Sequence, residues 1–419
     1  MNANSSRSLW KTVIFALLVS ECFNLMVNAD AFVGESALTC RRSKRLRAQQ
    51  QRNDGEEDAQ KRQETDTPLL RVGLLADIQY APIPDGTSFT GTPRYYQNAL
   101  SVAKNAAKHF ERENLPVVLN LGDIVDGKCQ DISYWGGEAL PHDVDPGLVC
   151  TDHVLEALSP YCSGQMIHAY GNHCLYNMDR ESMAAKLGIP FVKENCGELV
   201  GYYSVLHNHG IRFVVLDCYD IAKMHRPSTS TKYQKADTIL KHRNPNYKNN
   251  ENSPEGLQGL ARRFVAFNGG VGATQLVWLQ ETLKRAREAG ERVVIVSHLP
   301  LMPGSSGSVC LLWNHAEVLK VLREYRDVVA LSLSGHAHKG GYRRDPKSGI
   351  HFRVVEAVLE NPHPMDTYAV MDIFEQKIKI HGFGNCDSAE YAMDHLAKST
   401  ESKQIPHRQS AIGGFKNVE

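Results

Sequence analysis

The chain has 419 residues, 42% hydrophobic and 22% charged, a length and balance that suit one large α/β domain or two ordinary ones. Lys plus Arg and Asp plus Glu both total 47, a formal net charge of zero, which argues against the basic footprint of a nucleic-acid-binding protein. A charged substrate would therefore be met locally, by metal ions and a few side chains.

Arg7 and Lys11 precede an apolar run from Thr12 to Ser20, and small residues follow at Ala29 and Ala31. This is the layout of a secretory signal peptide over 1–31, cleaved after Ala29 or Ala31, and it predicts the secretory pathway or the cell exterior. A plastid or mitochondrial presequence, an uncleaved anchor and a cytosolic location are the alternatives. Glu21 interrupts the run, so no stable membrane span is expected, since one takes about 20 apolar residues. From about Arg41 to Thr67 the chain is polar and charged, too poor in apolar surface to order itself, so 32–67 reads as a disordered linker. Within it, Lys44–Arg45–Leu46–Arg47 followed by Glu56–Glu57–Asp58 resembles the Arg-x-Leu-Arg plus acidic motif of secreted effectors of filamentous plant pathogens. Lys44 stands where that motif has Arg, and a charged solvated linker explains the same residues. None of the ten cysteines forms a Cys-x-x-Cys pair, which argues against a zinc knuckle. The disulfide pattern and the oligomeric state are not set by the sequence.

The folded domain is expected over 68–387, with a polar C-terminal segment over 388–419. Helices are expected at Arg94–Glu113, Asp152–Leu158, Arg180–Leu187, Gln275–Ala289 and Ala316–Tyr325. In Gln275–Ala289, Leu276, Leu279 and Leu283 share a face, the mark of an amphipathic helix. Strands are expected at Gly201–Leu206, Ile211–Asp217, Val293–Ser297, Val328–Ser334, His351–Ala357, Tyr368–Ile373 and Lys377–His381. Little helix separates the last four, which points to antiparallel or mixed sheet and to two packed sheets flanked by helices. His225 to about Gly272 reads as a long irregular stretch, functional or disordered.

Five polar clusters each follow a short apolar run. They are Asp77–Ile78–Gln79, Gly122–Asp123–Ile124–Val125–Asp126–Gly127, Gly171–Asn172–His173, Ser297–His298 and Gly335–His336–Ala337–His338. Neighbouring strands share a rim at their C-terminal ends, so such clusters converge. Asp77 and Asp123 offer carboxylates, Asn172 an amide oxygen, and His298, His336 and His338 imidazole nitrogens. One residue between His336 and His338 sends both to the same side of an extended chain. Singly, each cluster is more readily a turn or a satisfied polar contact. Together they form a site for two divalent cations.

The order Asp-x-Gln, Gly-Asp-x-x-Asp-Gly, Gly-Asn-His, Ser-His, Gly-His-x-His resembles the calcineurin-like metallophosphoesterase superfamily over Leu70 to about Phe383. Gln79 stands where the common pattern has histidine. That departure, with Asp77–Tyr80, Asn268–Gly272, Gln275–Leu279 and Gly335–Tyr342, is similar to the manganese-dependent ADP-ribose/CDP-alcohol diphosphatases. The resemblance implies a four-layer α/β/β/α sandwich with two central mixed sheets. It implies one metal on Asp77, Gln79, Asp123 and His338, and another on Asp123, Asn172, His298 and His336. An oxygen-rich set favours Mn²⁺ or Mg²⁺ over Zn²⁺, with Zn²⁺ or Fe as further possibilities. Two such metals would activate a water for in-line attack on a diphosphate. The substrates implied are small and nucleoside-diphosphate-linked: ADP-ribose, giving AMP and ribose 5-phosphate, and CDP-choline, giving CMP and phosphocholine. His173 is the candidate to bind phosphoryl oxygens or protonate the leaving group. Asp126 either orients a ligand loop or closes a turn. Phe89 either stacks on a nucleobase or packs on its own helix, and Cys310 is a candidate pocket residue. The rivals are a cyclic-nucleotide or other phosphodiesterase of the same superfamily, a metal-free scaffold, and a secreted effector that uses this domain. Asp126 occupies the position of the tyrosine that marks purple acid phosphatases.

Overall fold

The computed structural model describes residues 67–131, 134–135, 138–139, 144–195 and 197–396. The expected leader, nearly all of the expected linker and Cys22, Cys40 and Cys196 lie outside them. Two six-stranded sheets carry the fold. In chain order their strands are β1 (Leu70–Leu75), β2 (Val117–Asn120), β3 (Gln165–His168), β4 (Tyr203–His207), β5 (Ile211–Val215), β6 (Arg292–Val296), β7 (Val329–Ser334), β8 (Gly341–Arg344), β9 (His351–Val354), β10 (Thr367–Ile373), β11 (Lys377–Gly384) and β12 (Ala389–Ala392). The first sheet runs β12-β11-β10-β1-β2-β3 and the second β4-β5-β6-β7-β9-β8. Strands β1, β2 and β3 are mutually parallel, as are β5, β6, β7 and β9, while the remaining pairings are antiparallel.

Side-chain alternation decides the layers. Leu70, Val72 and Leu74 of β1, Val117 and Leu119 of β2, Phe213 and Val215 of β5, Val294 and Val296 of β6 and Met371 of β10 form one cluster between the sheets. The opposite parity, including Leu75, Val118, Val214, Val293, Ile295 and Val370, packs against helices. Each fully buried aliphatic side chain contributes about 1.5–3 kcal/mol. The result is the four-layer α/β/β/α sandwich that the resemblance implies.

The outer layers include α1 (Asn98–Arg112), α2 (Pro146–Leu158), α3 (Asn172–Asn177), α4 (Arg180–Leu187), α5 (Thr231–Arg243), α6 (Ala273–Ala289) and α7 (His315–Glu324). Helix α1 buries Ala99, Val102, Ala103, Ala106, Ala107 and Phe110, a stripe at helical spacing. It can seat this closely because β1 has Gly73 beneath it. A Cβ there would stand 2.9 Å from Val118 and 3.0 Å from the Phe110 ring. Helix α4 matches its expected bounds, with Asp179 accepting from the Ser182 N–H and Gly188 closing the end at φ 66, the usual stop signals.

Three expectations are corrected. Helix α1 starts at Asn98 rather than Arg94, because Pro93–Arg94 pairs with Gly86–Thr87 in a hairpin. The stretch expected to be irregular contains α5, whose Ser230 accepts from the Lys232 and Tyr233 N–H groups. It packs Ala236 and Leu240 on Ile221, Phe264 and Trp313, a seam too narrow to show as periodicity. The sheet also passes the expected boundary at 387: β12 pairs antiparallel with Lys377–Ile380 of β11.

Candidate metal centre

The C-terminal ends of the parallel strands of both sheets meet at one rim. Asp77 follows β1, Asp123 follows β2, and Asn172 opens α3 after β3. His298 follows β6, and His336 and His338 follow β7. Backbone bonds stitch these loops together: Asp77 N donates to Gly122 O, Gln79 N to Asp123 O, and Gly335 N to His298 O.

The loops are strained where the functional side chains sit. Asp77 (φ 51), Gln79 (φ 43), Asp123 (φ 54) and His336 (φ 64) are four of the seven described non-glycine residues with positive φ. Such conformations cost on the order of 1–3 kcal/mol each and cluster at functional sites. Gly122 (φ 103) takes the same region without a side chain, and a Cβ there would stand 2.5 Å from His298 Nδ1. A Cβ on Gly171 would stand 2.0 Å from Asp123 Oδ1. Gly122 is required by close approach as well as by turning, and Gly171 by close approach alone.

Each of the three candidate histidines is held through one nitrogen. His298 Nδ1 lies 2.7 Å from Leu121 O, and a carbonyl only accepts, so the ring donates there and keeps Nε2 free. His338 Nδ1 lies 2.9 Å from Glu360 Oε1, which leaves Nε2. His336 Nε2 lies 3.1 Å from Asn268 Oδ1. Asn268 spends its amide N–H groups on Arg263 O and Val309 O, so Oδ1 is the acceptor and His336 Nδ1 is left free. Such outer partners fix the tautomer of a metal-ligating histidine. One ligand atom each from Asp123, His298 and His336 lies within 4.8 Å of the others.

The remaining donors close around these rings. His298 Nε2 is 3.2 Å from Asp123 Oδ2, and His338 Nε2 is 3.6 Å from Asp77 Oδ1. Asp77 Oδ2 accepts from His336 N at 2.8 Å, and Asp123 Oδ1 accepts from His173 N at 2.8 Å. Asn172 Oδ1 accepts from the Tyr219 hydroxyl at 3.1 Å. Gln79 Nε2 faces Asp123 Oδ2 at 2.9 Å and His338 Nε2 at 3.2 Å. A half-turn of the amide exchanges its nitrogen and oxygen and presents Oε1 there. Asp77 Oδ1, Gln79 Oε1 and His298 Nε2 are buried without a hydrogen-bond partner. Unsatisfied buried acceptors among free imidazole nitrogens fit a divalent cation, which would supply the missing partner.

The electrostatics point the same way. Burial raises the Asp77 carboxyl above the usual carboxylate range, against the pull of His298 and His338. Burial also opposes charge on Asp123, yet His298 and His173 outweigh it and hold that carboxyl below its usual value. Burial disfavours a charged His298, but Asp123 and Asp77 overcome it and lift the ring to about 9. Burial and His298 push His336 well below the ordinary histidine value. Without a metal, the cluster therefore draws a proton onto His298 to offset its carboxylates.

His173 lies just outside this ring of donors. Its Nδ1 accepts the Gly127 N–H at 2.9 Å, so the neutral ring carries its proton on Nε2. Asp126 Oδ2 is 3.3 Å from the same ring, and Asp126 Oδ1 accepts from Lys128 N, so Asp126 both closes a turn and abuts His173. Cys310 sits on the turn Ser308–Cys310. Burial raises its thiol to about 12, with the Asp77 charge adding to the effect. Phe89 is 84% exposed at the tip of the Gly86–Arg94 hairpin and is not brought into the cluster. Asn268, Tyr219 and Glu360 were missed as site residues. Asn268 belonged to a quoted motif, but nothing in sequence spacing ties Glu360 or Tyr219 to a histidine or an asparagine far away in the chain.

The fold and this centre define a metallophosphoesterase, and the family model for calcineurin-like phosphoesterases matches residues 70–340. Manganese-dependent ADP-ribose/CDP-alcohol diphosphatases from Arabidopsis thaliana and Homo sapiens are 38% identical over 77% of this chain and 33% identical over 75% of it, covering 97% and 90% of those proteins. A dimetal phosphatase from Danio rerio superposes with a TM-score of 0.70 at 32% identity, covering 78% of this chain and 99% of that one. The chain belongs to the calcineurin-like phosphoesterase family, in the branch of the manganese-dependent ADP-ribose/CDP-alcohol diphosphatases.

Among the described residues, no helix is long and apolar enough to cross a membrane. The described cysteines, Cys129, Cys150, Cys162, Cys174, Cys218, Cys310 and Cys386, are free thiols.

Proposed function

We propose that this chain is a metal-dependent diphosphatase with two resident divalent cations, manganese foremost. It cleaves ADP-ribose to AMP and ribose 5-phosphate, and CDP-alcohols such as CDP-choline to CMP and phosphocholine. The names of its relatives support the substrate class. The observation that carries the reading is the set of three histidines, each anchored through one nitrogen by a residue outside the ligand set, around the unpartnered Asp77 Oδ1.

Asp77, Gln79, Asp123 and His338 would hold one cation, and Asp123, Asn172, His298 and His336 the other. Such a pair would supply an acidified water and neutralise charge on phosphoryl oxygens. The chain's own residues do the rest. Asp123 is oriented by the His173 N–H, and Asn172 by the Tyr219 hydroxyl. His173, fixed by Gly127, offers its Nε2 proton to a phosphoryl oxygen or to the leaving phosphate. Cys310 and Phe89 are the candidate contacts for the rest of the substrate.

The test is hydrolysis of ADP-ribose, CDP-choline and 2′,3′-cyclic AMP by metal-stripped protein resupplied with Mn²⁺. Release of AMP or CMP that requires Mn²⁺ and is lost in His336→Ala is the expected result. Turnover of the cyclic nucleotide alone would replace the substrate class.

A further inference from the structure

At the end of the second sheet away from the metal centre, three more side chains converge. His351 opens β9, and Asp394 and His395 stand on the turn after β12. Strand β7 spans the distance between the two ends. Val329 begins it and Ser334 leads into the Gly335–His338 loop, roughly 16 Å further on at the rise of a strand. One ligand atom each from His351, Asp394 and His395 lies within 4.8 Å of the others. None of the three takes part in the chemistry described above.

Both rings are held through one nitrogen, as the histidines of the centre are. His351 Nε2 lies 2.9 Å from Ala392 O, and His395 Nε2 lies 2.8 Å from Val329 O. A carbonyl only accepts, so each ring donates from Nε2 and keeps the lone pair of Nδ1. His395 Nδ1 is buried and without a hydrogen-bond partner among the described residues. His351 is buried, and its Nδ1 accepts from the Tyr342 hydroxyl at 2.7 Å. Tyr342 is 42% exposed, so that hydroxyl can yield to a stronger partner. Arg344 Nη2 donates to Asp394 Oδ1 at 2.5 Å and leaves Oδ2 available. The pair is exposed on both sides, where solvent screens the guanidinium charge. The ring centroids of His351 and His395 are 5.8 Å apart and their planes are inclined by 59°. His298 and His336, assigned to one cation above, are 5.1 Å apart and inclined by 66°. Two imidazoles on one tetrahedral ion, with metal–nitrogen bonds of about 2.0–2.1 Å, fall in the same range.

We infer that His351, His395 and Asp394 form a further metal site, separate from the catalytic centre, that binds zinc. Two imidazoles and one carboxylate suit Zn²⁺, whereas the oxygen-richer centre suits Mn²⁺. Water takes the fourth position. The ion ties β9 of the second sheet to the turn that follows β12 at the edge of the first. It acts on stability rather than turnover, whatever reaction the centre carries out.

The experiment uses the full chain, stripped of metal and dialysed against low micromolar Zn²⁺. Bound zinc per chain is read by atomic emission, and the melting temperature is taken with and without zinc. Wild type should hold one zinc more per chain than either Asp394→Ala or His395→Gln, and zinc should raise its melting temperature more than theirs. His336→Ala, which opens the catalytic centre, should keep that ion, and the double variant His336→Ala/His395→Gln should lose it. The metal-free melting temperatures report folding. If His395→Gln falls well below wild type there, Asp394→Ala, on the exposed face of the turn, decides. Equal zinc content in wild type and Asp394→Ala, or an additional ion that wild type takes up only at millimolar Zn²⁺, makes the cluster an ordinary polar turn and overturns the inference.

Discussion

The three imidazoles of the centre are backed by three kinds of acceptor: the Leu121 carbonyl behind His298, the Asn268 amide behind His336 and the Glu360 carboxylate behind His338. Only the last brings a full negative charge, which raises the basicity of the free nitrogen most. Glu360→Gln keeps the shape and offers a neutral amide oxygen. It should weaken Mn²⁺ binding about 10- to 100-fold and leave the metal-free melting temperature nearly unchanged. Calorimetric titration of Mn²⁺ into stripped protein measures this, and an affinity equal to wild type would show that Glu360 does not tune the site.

At the scale of elements, legibility followed the source of each element's stability. Runs such as Val293–Val296 and Val329–Leu333 announce buried strands because both faces are covered, and α4 carries its caps in the sequence. Helix α5 was not legible because it buries little more than Lys232, Ala236 and Leu240. Strand β12 was not legible because only Tyr391 of its four residues is buried. The same logic applies to the site. Ligand-bearing loops follow their strands directly, whereas Asn268 and Glu360 act across the fold. One such long-range tie is testable by pH. Arg323 of α7 grips Asp345, beyond β8, through Nε and Nη2 at 2.8 and 3.1 Å, and Ser348 Oγ adds a bond at 2.6 Å. Burial opposes the Asp345 charge, but Arg323 and Ser348 outweigh it and lower its pKa from 3.8 to about 2. A depressed folded-state pKa stabilises above the unfolded value and loses that contribution as pH falls through the folded one. Asp345 should therefore contribute on the order of 2 kcal/mol at neutral pH. The stability gap between wild type and Asp345→Asn should be constant above about pH 5 and narrow steadily as pH falls from 3.8 toward about 2. Urea melts across that range decide it; a gap that does not change with pH would assign the pair no electrostatic role.

At the scale of the molecule, the centre joins the two sheets. Asp77, Asp123 and Asn172 follow strands of the first sheet, and His298, His336 and His338 follow strands of the second. Any cation held among them cross-links the halves of the sandwich at the rim, where backbone strain and buried carboxylates otherwise oppose closure. Binding to the folded form alone stabilises it by about 2.7 kcal/mol per site at a hundredfold excess over Kd. Two sites so filled should give roughly 5 kcal/mol, since an unfolded chain has no preformed cluster to compete. Chelator should thus lower the melting temperature by several degrees, and Mn²⁺ should restore it. His336→Ala keeps a Cβ, and with it the strain, at a positive φ and removes one ligand. Its metal-free melting point is therefore a separate matter, and the Mn²⁺-dependent increment within each variant is the quantity to compare. That increment should shrink by about half in His336→Ala if the two cations bind independently, and further if the shared Asp123 couples them. An increment in His336→Ala equal to the wild-type value would mean that the stabilising metal sits elsewhere than between the two sheets.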